Sequence, residues 1–244
     1  MNTKHFIYTA LFTTVAIGSI SHANDFCQTA ESRLNTAYEQ YIKNEYDDDT
    51  EVKNLVISTL NNPKSLACTW ENLAGFNTQT SPDKRLFSVD WRVEGGGTMQ
   101  IFSGALQYRL NNKVTTTLNE TDRIMSIDQM TLGKQTVYFL TSWGAGYTSL
   151  HGQSLHLFTT KNNKPTPAKL IKTKQGLTNT IDFAYDPFSA DDDTNVNELI
   201  KINPKRQEFS IPVIIENENF PNGQITHRTL RYRYNGKQFV YVKK

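Results

Sequence analysis

Between Cys27 and Ile42 the apolar or small residues Cys27, Ala30, Leu34, Ala37, Tyr38, Tyr41 and Ile42 recur at intervals of three and four. That is the spacing of one helical face, and Asn24 or Asp25 is available as the cap, so an amphipathic helix is predicted over 25–42. The acidic run Asn44-Glu45-Tyr46-Asp47-Asp48-Asp49 interrupts it. A second helix is predicted from Thr50 to Leu60, with Val52, Leu55, Val56 and Leu60 facing inward and Asn61-Asn62-Pro63 as the stop.

From Leu86 the period drops to two. Phe87, Val89 and Trp91 alternate with Ser88, Asp90 and Arg92; Leu106, Tyr108 and Leu110 with Gln107 and Arg109; Ile181, Phe183 and Tyr185 with Asp182 and Ala184. Such alternation predicts strands with one buried face. Phe209, Ile211, Val213 and Ile215 continue it, and Pro212 among them calls for an edge or a bulge. Near the end, Asn235-Gly236 between the runs 230–234 and 239–241 predicts a hairpin. The strands form groups at roughly 86–118, 123–172, 180–215 and 225–242. The expected fold is therefore mostly β with an N-terminal helical segment, its antiparallel sheet groups arranged as a propeller-like body or a sandwich.

The N-terminus changes the picture. Lys4, the largely apolar stretch Phe6–Ile20 and Ser21-His22-Ala23 have the three parts of a secretory signal peptide. Residues 1–23 are thus expected to be removed, leaving a helical segment over 24–75 docked on an antiparallel β domain over 76–244. The apolar run is broken by Thr9, Thr13, Thr14, Gly18 and Ser19, so no membrane span is expected. Export to the periplasm or beyond makes the only two cysteines, Cys27 and Cys68, a predicted structural disulfide. The whole chain carries 26 basic and 24 acidic residues, and loss of Lys4 with the leader lowers its small positive charge further. A near-neutral balance predicts no general affinity for nucleic acid or for an anionic membrane.

Candidate chemistry is sparse. Gly95-Gly96-Gly97 precedes a strand rather than a helix and lysine, so a turn is expected there instead of a phosphate loop. Trp143-Gly144-Ala145-Gly146-Tyr147 is a candidate stacking loop or a tight corner. His151 and His156 lie five residues apart and would point to opposite faces of one strand, against a shared metal. Asp191, Asp193 and Asn195 have the alternate spacing of calcium ligands without the glycine or the distal acid of a calcium loop, so a solvated acidic turn is expected. Gly152-Gln153-Ser154 supplies half of a nucleophile elbow. Asp122 and Asp128 are a carboxylate pair of unknown separation. Arg228, Arg231 and Arg233 with Lys237, Lys243 and Lys244 make the last hairpin basic. No catalytic residue, metal ligand or cofactor is assigned.

The run Ser81-Pro82-Asp83-Lys84-Arg85-Leu86-Phe87-Ser88-Val89-Asp90-Trp91, then Gly96-Gly97-Thr98-Met99, then Leu106-Gln107-Tyr108, resembles a group of secreted bacterial β-rich proteins. The resemblance covers the middle third of the chain. It implies an exported β-rich fold and transfers no functional residue. The expected function is that of an exported, non-enzymatic binding protein for a protein or envelope component, for example an inhibitor or immunity-type protein. Its expected contact surfaces are 144–153, 186–197 and the basic hairpin. The alternative is an envelope-polymer hydrolase built from Asp191 or Asp193 with His151 or His156.

Overall fold

A computed structural model describes residues 17–45, 48–94, 98–110, 113–161 and 164–243. Gly95-Gly96-Gly97 and most of the expected signal peptide, 1–23, lie outside them.

Among the described residues two α-helices, α1 (Ile17–Lys43) and α2 (Thr50–Asn61), precede fifteen strands. Helix α1 runs without interruption through Asn24 and Asp25, so neither residue caps it. Its predicted face is the buried one: Ala30, Leu34, Ala37, Tyr38 and Tyr41 are inside. Cys27 is partly buried, and Ile42, one residue before the helix ends, is 40 % exposed. In α2, Val52, Val56 and Leu60 are buried, and Asn62 Oδ1 accepts from the Lys64 amide to start the short 3₁₀ turn Pro63–Ala67. Cys27 and Cys68 are joined, tying α1 to the chain just past that turn.

The first sheet, sheet I, is a meander of β1 (Phe76–Thr80), β2 (Leu86–Glu94), β3 (Ile101–Leu110) and β4 (Lys113–Thr121). Sheet II has the order β11 (Thr180–Tyr185), β7 (Leu150–Lys161), β6 (Gln135–Tyr147), β5 (Arg123–Leu132), with β8 (Lys164–Pro167) also on β7. Sheet III has the order β10 (Gly176–Thr178), β9 (Ile171–Thr173), β15 (Phe239–Val242), β14 (Gln224–Tyr234), β13 (Glu208–Ile215), β12 (Lys201–Asn203). Among the described residues all pairings are antiparallel except one contact, Phe239 opposite Ile171.

The predicted groups therefore do not map one to one onto sheets. Residues 171–173 leave their neighbours for sheet III, and 180–185 return to cover the open edge of β7. Strand β1 has no alternation to betray it: its residues are Phe-Asn-Thr-Gln-Thr and its burial is nearly uniform.

Four cores stack these layers, the smallest being Phe102, Trp143, Ala145 and Tyr185. Phe87, Val89 and Trp91 meet the helices. Leu86, Leu106 and Tyr108 meet Ile124, Ile127, Tyr138 and Leu140 between sheets I and II. Val137, Phe139, Leu155 and Leu157 meet Ile171, Phe209 and Phe239 between sheets II and III. Sheets I and II are thus covered on both faces, which is why Ser88 and Asp90, the polar partners of the β2 alternation, are buried at 1 % exposure each. The arrangement is sandwich-like, with the helices as an outer layer on sheet I, and among the described residues no sheet closes into a barrel.

Pro212 sits at a register shift in β13, and β12 pairs only as far as Ser210, so its missing N–H leaves no ladder partner wanting. The final hairpin forms with a four-residue loop rather than a two-residue turn: Asn235 N bonds to Gln238 O at 3.0 Å, and Gly236 takes φ +91°.

Candidate functional site

Two cross-strand rows of sheet II contribute to an open cleft, and a third lies just beyond it. The first pairs Gly144 with Gly152 and Gly152 with Ala184, which gives a floor almost without side chains. The second runs Ser142, Ser154, Asp182, and the third Leu140, His156, Thr180. Residues directly opposite one another in a ladder share a face, so Asp182, Ser154 and His156 all stand on the same side of the sheet. Asp122, at the bend between β4 and β5, leans over the floor: a β-carbon at residue 144 would lie 2.6 Å from its Oδ1. Ser142 Oγ donates to Asp122 Oδ2 at 3.4 Å.

Met99, Gln100 and Ile101 supply the opposite wall, held there by the Gln100 amide, which bonds to Ala145 O at 3.0 Å. The cleft has a volume of about 610 Å³, with Leu150 and Phe183 adding apolar surface to its rim.

Its electrostatics are those of a half-buried carboxylate, Asp122, and an exposed one, Asp182, with the imidazole of His156 beside the cleft. Burial pushes the Asp122 carboxyl above the usual carboxylate range; the Ser142 bond and His156 oppose this, while Asp182 adds to it. His156 is pushed below its usual value by burial, against the pull of Asp182 and Asp122. Its Nδ1 lies 3.2 Å from Thr180 Oγ1. The imidazole is thus partnered by a threonine hydroxyl rather than by a nucleophilic serine.

The histidines expected to diverge do so. His151 packs edge-on against Trp143 at 5.2 Å between ring centroids and against Tyr185 at 6.0 Å. Its carboxylate neighbour is Asp186, whereas those of His156 are Asp182 and Asp122. Asp191 instead reaches His227, with 3.4 Å between Oδ2 and Nδ1, and Asp191 and Asp193 both face solvent. Asn195 Oδ1 accepts from the Asn197 amide, closing a local turn. Among the described residues no group of three or more His, Cys, Asp or Glu side chains could hold a metal ion.

The segment 144–153 is a hairpin made by β6 and β7, not a loop, and Trp143, on β6 just before it, is buried. Tyr147 remains 46 % exposed, its hydroxyl donating to Asn222 Oδ1 at 2.9 Å. Gln153 is structural. Its Nε2 donates to Val196 O at 2.8 Å, and its Oε1 accepts from the Leu199 amide at 2.9 Å, so it pins the 186–197 loop to sheet II. In the basic hairpin Arg233 is committed to the buried Glu208 through Nε and Nη2. Asp128 accepts from Ser126 Oγ at 2.8 Å, so the carboxylate that accompanies Asp122 in the cleft is Asp182.

Compared with protein-family models, curated proteins and solved structures, the chain matches none.

Proposed function

We propose that this protein is an exported binding protein that takes an extended, positively charged segment of a protein or envelope component into the cleft between Asp122 and Asp182. The carrying observation is the pairing of two carboxylates with a floor of Gly144, Gly152 and Ala184, where a backbone can approach sheet II closely. A cation entering there replaces the repulsion between the two acids with attraction to both. Apolar rim residues give the rest of the segment a surface to cover. The disulfide between Cys27 and Cys68 supports an oxidising compartment, as does the leader-like sequence before Asn24.

The cleft supports recognition better than hydrolysis, because the one hydroxyl His156 is seen to engage, Thr180 Oγ1, does not line the cleft, and neither does His156. The test is fluorescence anisotropy with a labelled, alternating lysine–alanine hexapeptide, alongside the corresponding glutamate–alanine peptide. Binding should favour the basic peptide and fall at least about tenfold in Gly152→Val. A β-carbon at 152 meets only Phe183 O, at 3.7 Å, so that variant folds while filling the floor. Equal affinity for both peptides, or cleavage of the basic one, would count against the reading.

A further inference from the structure

Next to the cleft, one step further along β6 and β7, a separate cavity of about 210 Å³ lies between sheets I and II. Interiors are close-packed, and voids much larger than one water are few. An apolar cavity of about 150 Å³ is enough to hold benzene. This one therefore has room for a fused bicyclic ring.

Its walls state the chemistry of what would fit. Leu106, Ile124 and Leu140 are apolar and belong to the core between the two sheets. Phe158 and His156 are nearly parallel, at 24° and 6.3 Å between centroids, and suit a planar guest. No Lys, Arg, Asp or Glu lines the cavity, so a charged guest would have no counterion. Ser88 lies on the face of β2 turned to sheet II, is 1 % exposed, lines the cavity and has an Oγ with no hydrogen-bond partner. A buried hydroxyl left unpaired is a cost that a guest with one polar atom would remove.

We infer that this cavity is a second ligand site, taking a neutral, planar aromatic molecule of bicyclic size with one hydroxyl or N–H group that pairs with Ser88. The site is separate from the acidic cleft: its lining, His156 and Leu140 included, has no residue in common with the lining of the cleft.

The experiment is calorimetric titration of the disulfide-bonded protein with 2-naphthol, with naphthalene as the probe lacking a polar atom and 2-naphthoate as the charged one. The wild type should bind 2-naphthol saturably, prefer it to naphthalene by about tenfold and reject 2-naphthoate. Ser88→Ala, which removes an unpartnered atom and leaves the packing intact, should abolish the preference while retaining naphthalene. Leu140→Phe should fill the cavity and weaken both neutral probes. Absence of saturable binding to the wild type overturns the inference, as does binding of 2-naphthol that Ser88→Ala leaves unchanged.

Discussion

The carboxylate of Asp122 occupies the space where a side chain at residue 144 would begin, 2.6 Å from the position of its β-carbon. Gly144 is therefore required by the site rather than by backbone conformation. Gly144→Ala should push the Asp122 carboxylate out of the cleft and away from Ser142. The expected result is a loss of affinity for the basic hexapeptide of about tenfold, with a shift in thermal midpoint of only a few degrees. A destabilised protein with undiminished affinity would mean that Asp122 has no part in recognition.

Gln107 holds the helical layer to sheet I. It is fully buried, its Nε2 donates to Leu60 O and to Ser65 Oγ, and its Oε1 accepts from Arg109 Nε at 2.9 Å. Gln107→Leu keeps the volume but leaves Arg109 Nε without this acceptor and takes one bond each from Leu60 O and Ser65 Oγ, which still bond to each other; a buried unpaired group costs about 1–3 kcal/mol. Urea denaturation should show a loss of about 1–3 kcal/mol, and hydrogen exchange should be fastest in α2 and the 3₁₀ turn after it.

The bridge from Cys27 to Cys68 spans a sequence separation of 41 residues. By the chain-entropy account such a loop contributes about 4 kcal/mol, acting through the unfolded state. Cys27→Ala/Cys68→Ala should lower stability by that order and leave peptide binding intact, because the bridge lies in the helical layer and the cleft on sheet II. Equal stability of oxidised and reduced protein would show that the bridge does not form.

Asp90 gives stability a pH dependence of uncommon sign. Burial raises its carboxyl from 3.8 to about 6, against hydrogen bonds from Asn77 and the Ile124 amide and the charge of Arg123. The folded state thus holds a proton that the unfolded state has already released between those two values. Asp90 costs nothing below pH 3.8, and its penalty grows as pH rises, reaching about 3 kcal/mol above pH 6. Asp90→Asn keeps an acceptor for Asn77 and Ile124 while placing an N–H₂ where Oδ1 had no partner. It should be about 2 kcal/mol more stable than the wild type at pH 7, and the advantage should disappear at pH 4. An advantage independent of pH would show that the wild-type carboxyl titrates normally.

The helical preface and the presence of the main strands were legible in the sequence because local periodicity produces them. Leu34, Tyr38, Val52 and Val56 had to face one way, as did Phe87, Val89 and Trp91. The sheet assignment was not legible in the same way. Whether 180–185 completes sheet II or opens a new sheet depends on the free edge of β7, whose paired residues, His151 to His156, lie far earlier in the chain. The site was harder still. Asp182 reads as an ordinary outward residue of an alternating strand, and only the ladder that aligns it with Ser154 and Ser142 places it in a cleft. Asp191, Asp193 and the C-terminal arginines drew attention because charge clusters are conspicuous along a chain. In the fold, Asp191 meets His227 and Arg233 meets Glu208.

The acidic cleft is tested most directly by calorimetric titration of the lysine–alanine hexapeptide into wild type and into Asp122→Asn/Asp182→Asn at matched ionic strength. The wild type should bind with an affinity that weakens as salt is added, and the double variant should lose at least about a hundredfold while unfolding at a similar temperature. Undiminished binding by the double variant would contradict the account.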